Sequence, residues 1–280
     1  ILILLVFMIL GVIVNSIFLP INMGENLLNE NISKIKITQL IYSIFIFILP
    51  PFFLSIYEKK KINYLLLINK NVKIQPILLI IVIITFIQPI VSYSYNLNIN
   101  LINFLSKYYP IIIENIQQIE SKSEYLTNLL MNMDSYSDLL VNIFLFSIIP
   151  AIGEEMLFRG VLQRKISIIL HNHHFSIILV SILFSTVHMQ FSGFIPRFIL
   201  GLLLGYIFYY SKNLIFPIIC HFINNLLVII FMYPQISDNL NIEVKNIINN
   251  SYNIDIIYVV VSIFSVFIFM YIFIKSFEKQ

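Results

Sequence analysis

The chain carries little charge and almost no thiol. Only 11% of its 280 residues are Asp, Glu, Lys or Arg, against 59% hydrophobic residues. A net charge of +3 is too small to direct it to nucleic acid. The single cysteine, Cys220, excludes an internal disulfide framework. Internal repeats and long low-complexity linkers are absent. No His-Glu-x-x-His occurs, so a zinc site built on that motif has no support. Ser192-Gly193 follows Gln190 where a rhomboid-type serine motif has glycine. Asp134, Asp138, Asp238 and Asp255 fall in loops or at the ends of apolar runs, which argues against an intramembrane aspartyl protease.

What remains is hydrocarbon. The mean hydropathy is +0.91, and the chain repeatedly runs apolar for the ~20 residues that a helix needs to span a bilayer. The runs are continuous rather than alternating, which selects helices over barrel strands. Eight spans are expected: Ile1–Leu19, Leu40–Tyr57, Pro76–Tyr93, Leu139–Phe158, Phe175–Met189, Phe194–Tyr210, Leu214–Tyr233 and Ile256–Ile274. The fold class is therefore all-α, a polytopic membrane helix bundle of about eight transmembrane helices. Ile1–Leu19 is too long for a signal-peptide core and no small-residue cleavage site follows, so it reads as a retained helix. The fifth span is short, as suits a helix packed inside the bundle. Lys and Arg cluster in alternate loops, above all at Lys59–Lys61, which places both termini in the cytoplasm. Two outer segments, Ser94–Asp138 and Pro234–Asp255, are polar. The first contains Leu101–Tyr109 and Ile111–Ile119, which read as short surface helices. Three regions follow: 1–135, the N-terminal spans and outer loop; 136–233, the section that carries the polar motifs; and 234–280, the last outer loop and span.

Ionisable groups at membrane depth cost at least ~2.5 kcal/mol each, so those present need a joint explanation. Glu155 and Arg159 stand four apart and share a helix face, with the acid N-terminal to the base. Glu154 points about 100° away, so one carboxylate can be neutralised by its own helix while the other faces a cavity. Such a carboxylate suits a general base acting on water. Pro150, Gly153 and Gly160 surround the motif, as a kinked, closely approached helix requires. His188 follows Phe184 by one turn, so the ring can rest on Phe184. His221 and Asn225 again share a face, and together can present two donors to one oxygen, as an oxyanion requires. His188 and His221 could instead bind a metal with Glu154. Asn224 and Cys220 read as packing, and His171, His173 and His174 as a solvated cytoplasmic loop.

The order Glu154-Glu155-x-x-x-Arg159, Phe184-x-x-x-His188, His221-x-x-x-Asn225 on membrane helices resembles the CPBP intramembrane protease family. That family includes the type II CAAX prenyl endopeptidases and the bacterial Abi, or bacteriocin-processing, proteins. The resemblance covers roughly Leu139 to Val228. It implies a bundle around a central conical cavity, with Glu154 and His188 activating a water. His221 and Asn225 would form the oxyanion site, and Glu155 with Arg159 would hold the first motif. It leaves both a zinc-assisted and a metal-free Glu/His mechanism open. The implied partners are the lipid bilayer and a peptide or membrane-protein substrate. A chain of this base composition reads as bacterial and cell-membrane bound, so processing of, or immunity to, a peptide such as a bacteriocin is the expected task. Two other classes compete. A non-catalytic immunity or scaffold protein could keep the motifs for folding. A transporter would spread its charges along a path, whereas here they gather on the fourth, fifth and seventh spans.

Overall fold

The computed structural model describes residues 32–59, 61–62, 67–68, 72–237 and 255–278. The expected span Ile1–Leu19, Lys60 and Asp238 lie outside the described residues. Among the described residues there is no strand. The helices are α1 (Ile32–Tyr57), α2 (Ile74–Ser106), α3 (Pro110–Met131), α4 (Tyr136–Leu170), α5 (His173–Thr186), α6 (Phe194–Ser211), α7 (Ile215–Met232) and α8 (Ile256–Glu278). Six of these are long and apolar enough to cross a membrane: all but α3 and α5. The chain is a multi-pass helical bundle.

Several expected boundaries move. The span expected from Leu40 starts at Ile32, so Lys34 and Lys36 lie in the opening turns of α1. The segment Leu101–Tyr109 is mostly the end of α2, whose 33 residues outrun the apolar stretch. Ile111–Ile119 belongs to a single 22-residue helix, α3. The fourth span continues past Phe158 to Leu170, so Arg159, Arg164 and Lys165 lie on helix rather than in an inner loop. Backbone hydrogen bonding explains the extensions: leaving a helix at membrane depth strands N–H and C=O groups that lipid cannot satisfy. The fifth helix is short, as expected, but it is not enclosed. Phe175, Ile178, Ile182 and Leu183 along it are exposed.

The core runs between α2, α6, α7 and α8. Ile80, Ile83, Ile84 and Ile87 repeat at helical spacing on α2 and pack with Leu203, Leu204 and Ile207 of α6, Phe216 and Cys220 of α7, and Phe273 of α8. In lipid such packing gains little from excluding water. It rests on close contact and on polar links between helices. Helices α5 and α6 approach each other closely. A Cβ on Gly201 would stand 3.2 Å from Ser181 Cα, and one on Gly205 would stand 2.7 Å from Ile177 Cγ2. Gly201-x-x-x-Gly205 thus forms a flat strip that admits the neighbouring helix.

Prolines shape the two helices that flank the motif. Pro50 and Pro51 of α1 follow a wide π turn at Ile44–Ile48, and Pro150 of α4 follows another at Phe144–Ile148. A proline has no N–H to give, and its ring crowds the carbonyl four residues back. A widened turn relieves that crowding. The widened turn of α1 packs on α4 at Gly153, where a Cβ would lie 2.9 Å from Phe47 Cβ. A third wide segment, Met156–Gln163, contains Arg159 and carries no proline.

Candidate active site

The polar motifs converge where α4, α7 and the end of α5 meet. Glu155 is fully buried and accepts two hydrogen bonds at one oxygen. Arg159 Nη1 donates to Oε1 at 2.7 Å, and His221 Nδ1 lies 2.9 Å from the same atom. The Glu155–Arg159 pair is the one that spacing suggests. The link to His221 crosses from α4 to α7, and nothing in the spacing of a single helix could have revealed it.

Arg159 is 0% exposed. Besides Glu155, its Nη2 donates to the carbonyl of Gly201 at 3.1 Å, and its guanidinium lies 4.6 Å from the Phe184 ring centre. One turn on, Gln163 Nε2 donates to the carbonyl of Gly205 at 3.0 Å. The glycines that admit α5 on one side of α6 therefore also expose carbonyls to α4. Without Cβ atoms, those carbonyls can be reached by side chains.

Glu154 turns the other way from Glu155. Its Oε2 lies 3.9 Å from His188 Nε2 and 4.0 Å from His221 Nε2. That oxygen is buried and takes no hydrogen bond from the protein. His188 stands just beyond α5, after the C-cap Val187, and not within the helix as the sequence suggests. The chain leaves the helix axis at Met189, which has φ 51°. The Phe184–His188 spacing still brings the two together: His188 Nδ1 lies 2.8 Å from the Phe184 carbonyl, and the ring centres are 5.1 Å apart. Phe184 also packs edge-on to His221 at 5.8 Å. It is a common floor for both imidazoles and the arginine.

The hydrogen-bond partners assign the tautomers. Both Nδ1 atoms face acceptors, a carbonyl for His188 and a carboxylate for His221, so both carry their proton there. In the neutral rings both Nε2 atoms then present lone pairs toward Glu154. For His221 to donate from Nε2 as well, it must hold both ring protons.

Asn225 is placed differently from its expected role. Its Nδ2 donates to the carbonyl of Phe146 at 3.2 Å. In a regular helix that carbonyl would accept from residue 150, which is proline. Asn225 thus binds a carbonyl that Pro150 has no N–H to serve, while Ser147 Oγ returns the link to the Phe222 carbonyl at 2.8 Å. Asn224 Nδ2 lies 3.4 Å from Asn225 Oδ1, and Gln88 Nε2 of α2 lies 3.5 Å from Asn224 Oδ1. Gln88 escapes a motif reading, although a glutamine beside Pro89 in an otherwise apolar run is a signal.

The histidine group at the other end of α5 is not a free loop. His173 and His174 open α5 behind the N-cap Asn172. His173 Nδ1 meets Ser167 Oγ, and His174 Nδ1 lies 3.2 Å from the Tyr206 hydroxyl. Both rings pack on Tyr209. His171 is the C-cap of α4 and stays in the turn, and all three histidines are exposed.

Glu154, His188 and His221 are donors of the right kind for zinc. Their spacing is wrong for it. In a tetrahedral site with ligands at ~2.0–2.1 Å, neighbouring donor atoms stand ~3.3 Å apart, whereas here the separations from Glu154 are 3.9 and 4.0 Å. Among the described residues, no group of three or more His, Cys, Asp or Glu is set to hold a metal ion. The same separations do suit one water, hydrogen-bonded at ~2.6–3.2 Å to each group.

Residues 136–227 match the family model of the Rce1-like type II CAAX prenyl endopeptidases. This is the family that the three motifs resemble. The match begins at the start of α4 and ends within α7, so it covers every residue of the site. The matched family is one of intramembrane CAAX-type proteases, and at that level it supports peptide hydrolysis. No curated protein and no solved structure matches the chain.

Proposed function

We propose that the chain is an intramembrane endopeptidase that hydrolyses a peptide bond with a water activated by Glu154 and His188. The observation that carries this reading is the buried, unpartnered Glu154 Oε2 facing two imidazole nitrogens at 3.9 and 4.0 Å. A water held there gives one proton to Glu154 and directs its other hydrogen to His188 Nε2. Its oxygen attacks the peptide carbonyl carbon and the C=O π pair moves to oxygen. In this scheme His221 holds both ring protons and donates from Nε2 to that oxyanion. When the C–N bond breaks, the leaving nitrogen takes the proton that Glu154 removed from water. Atoms and charge balance without a metal, and the spacing favours that version over the zinc version.

Asn225 acts in this scheme by holding α7 against the Pro150 kink of α4, which sets the distance between His221 and Glu154. The substrate we propose is a peptide or membrane-protein segment that enters from the bilayer, with a bacteriocin-like peptide as the working example. We place the chain in a bacterial cell membrane with both termini cytoplasmic. The Lys165–Glu58 ion pair puts the C-terminal ends of α1 and α4 on the same side, as this arrangement requires.

The test is Glu154→Gln, which keeps size and removes the base. Peptides released in membranes carrying the wild type are compared with those from the variant by N-terminal proteomics. Turnover of the wild-type products should fall roughly 10²–10⁴-fold at unchanged protein level. Full cleavage by the variant would end the glutamate-activated water model.

A further inference from the structure

The loop that follows His188 is short, yet three other helices bind it. Ser192 gives both its N–H, at 3.0 Å, and its hydroxyl to Glu120 Oε1 of α3. Gln190 Nε2 reaches Ser123 Oγ of α3 at 3.3 Å. Arg197 of α6 donates to Gln190 twice, from Nη1 to the backbone carbonyl at 3.2 Å and from Nη2 to Oε1. Asn98 of α2 donates to the carbonyl of Phe191. Gly193 is required for this arrangement, because a Cβ there would collide with the Arg197 guanidinium. Residues 190–192 are each fixed by a named polar partner, immediately after an imidazole whose own Nδ1 is held by the Phe184 carbonyl.

The helix that supplies Glu120 is weakly anchored elsewhere. Of the 22 residues of α3, only Ile113 and Leu130 are buried. Its C-terminal end is tied by Asn142, whose Nδ2 donates to the Leu130 carbonyl at 3.1 Å. Its middle is held through Glu120 and Ser123. Glu120 therefore ties this mostly exposed helix to the loop through two hydrogen bonds at one oxygen. It acts on the loop.

We propose that Glu120 is a positioning residue for His188: α3, through Glu120 on Ser192, locks the 189–193 loop and so fixes the imidazole opposite Glu154. The naming of His188 as the group served rests on the protease reading, but the clamp itself does not. Release of α3 from Ser192 would free the loop at Met189, the left-handed residue next to His188. Departure of α3 and misplacement of the imidazole are then one event.

The experiment needs no substrate. Full-length protein in lipid nanodiscs is treated with diethyl pyrocarbonate, and carbethoxylation of His188 is followed by mass spectrometry with His221 as the internal reference. Hydrogen exchange at residues 189–193 is measured on the same samples. Glu120→Ala removes the acceptor and should raise both the His188 reaction rate and the loop exchange rate, roughly tenfold for loss of bonds to a charged group. His221, on α7, should not change. Glu120→Gln keeps an acceptor oxygen and should restore most of the wild-type rate, which general destabilisation would not allow. Ser192→Ala removes one bond of the two, should give an intermediate rate, and decides the matter where Glu120→Ala fails to fold. Equal His188 and loop rates in the wild type and either folded alanine variant would overturn the proposal. A protein that shows the clamp but cleaves no peptide would instead count against the protease reading.

Discussion

The ion pair inside α4 offers the sharpest test of the energetics. Glu155 and Arg159 are both 0% exposed, with 2.7 Å between Oε1 and Nη1. At an effective dielectric of about 20 and a charge separation of ~4 Å, their attraction is ~4 kcal/mol. Removing one partner of such a pair costs about 3–5 kcal/mol, because the other charge stays buried without compensation. Glu155→Gln performs that removal. The glutamine keeps one acceptor oxygen, for which Arg159 Nη1 and His221 Nδ1 must compete. Glu154 cannot fully replace it, because that carboxylate faces the histidines.

The assay is unfolding in mixed micelles at increasing denaturant, read by the loss of helical signal. Glu155→Gln should lose about 3–5 kcal/mol. The double variant Glu155→Leu with Arg159→Met should recover most of this, since an apolar pair of similar volume is often neutral in place of a buried ion pair. It should still fail to turn over substrate, because His221 has lost the acceptor that holds Nδ1. The reasoning is refuted if Glu155→Gln unfolds at the wild-type midpoint: Arg159 would then draw its compensation from the Gly201 carbonyl and the Phe184 ring alone.

Asn225→Ala should cost ~1–3 kcal/mol by orphaning the Phe146 carbonyl, and pairing it with Pro150→Ala should cost less, because an N–H returns to that turn; additive losses in a double-mutant cycle would exclude the link. Gly205→Val must push α5 from α6, given the 2.7 Å approach of Ile177 Cγ2 to a Cβ there, and should lower the unfolding midpoint by more than Gly→Val at an exposed site. Dialysis against a zinc chelator should leave turnover unchanged, and loss of activity restored by zinc would show that the site closes on a metal. For topology, Lys122→Cys on the exposed face of α3, in a Cys220→Ala background, should react with an impermeant maleimide in intact cells; labelling only after the membrane is breached would reverse the orientation.

The sequence made some of this legible and hid the rest for definable reasons. Apolar length announced the helices, since a bilayer imposes its thickness on every span. The Glu155–Arg159 and Phe184–His188 contacts were legible because helical spacing puts i and i+4 side by side. Boundaries were not legible where a helix outlasts its apolar run, as α2 and α4 do. The polar ends remain helical because no other backbone partner is available. Cross-helix bonds stayed hidden for a different reason. His221 to Glu155 and Asn225 to Phe146 each depend on where two helices cross, and no periodicity reports a crossing. The Asn225 contact stayed hidden for the same reason: the spacing that puts His221 and Asn225 on one face does not report that the amide reaches the Phe146 carbonyl of α4.

The placement of prolines and glycines gives the site its physical logic. A carboxylate and two imidazoles cannot be brought together in hydrocarbon by side-chain reach alone, because each must be held in place by a partner on another turn or helix. Pro150 frees a backbone carbonyl, and Asn225 uses it to fix α7. Gly201 and Gly205 bare two carbonyls, and Arg159 and Gln163 use them to fix α4 to α6. Arg159 then holds Glu155, and Glu155 holds His221. Each link ends on backbone, which cannot rotate away. Glu154 stands outside this chain of support, and its Oε2 is left without a protein partner. That oxygen faces both imidazole nitrogens at 3.9 and 4.0 Å, which is where a water that gives up a proton would sit.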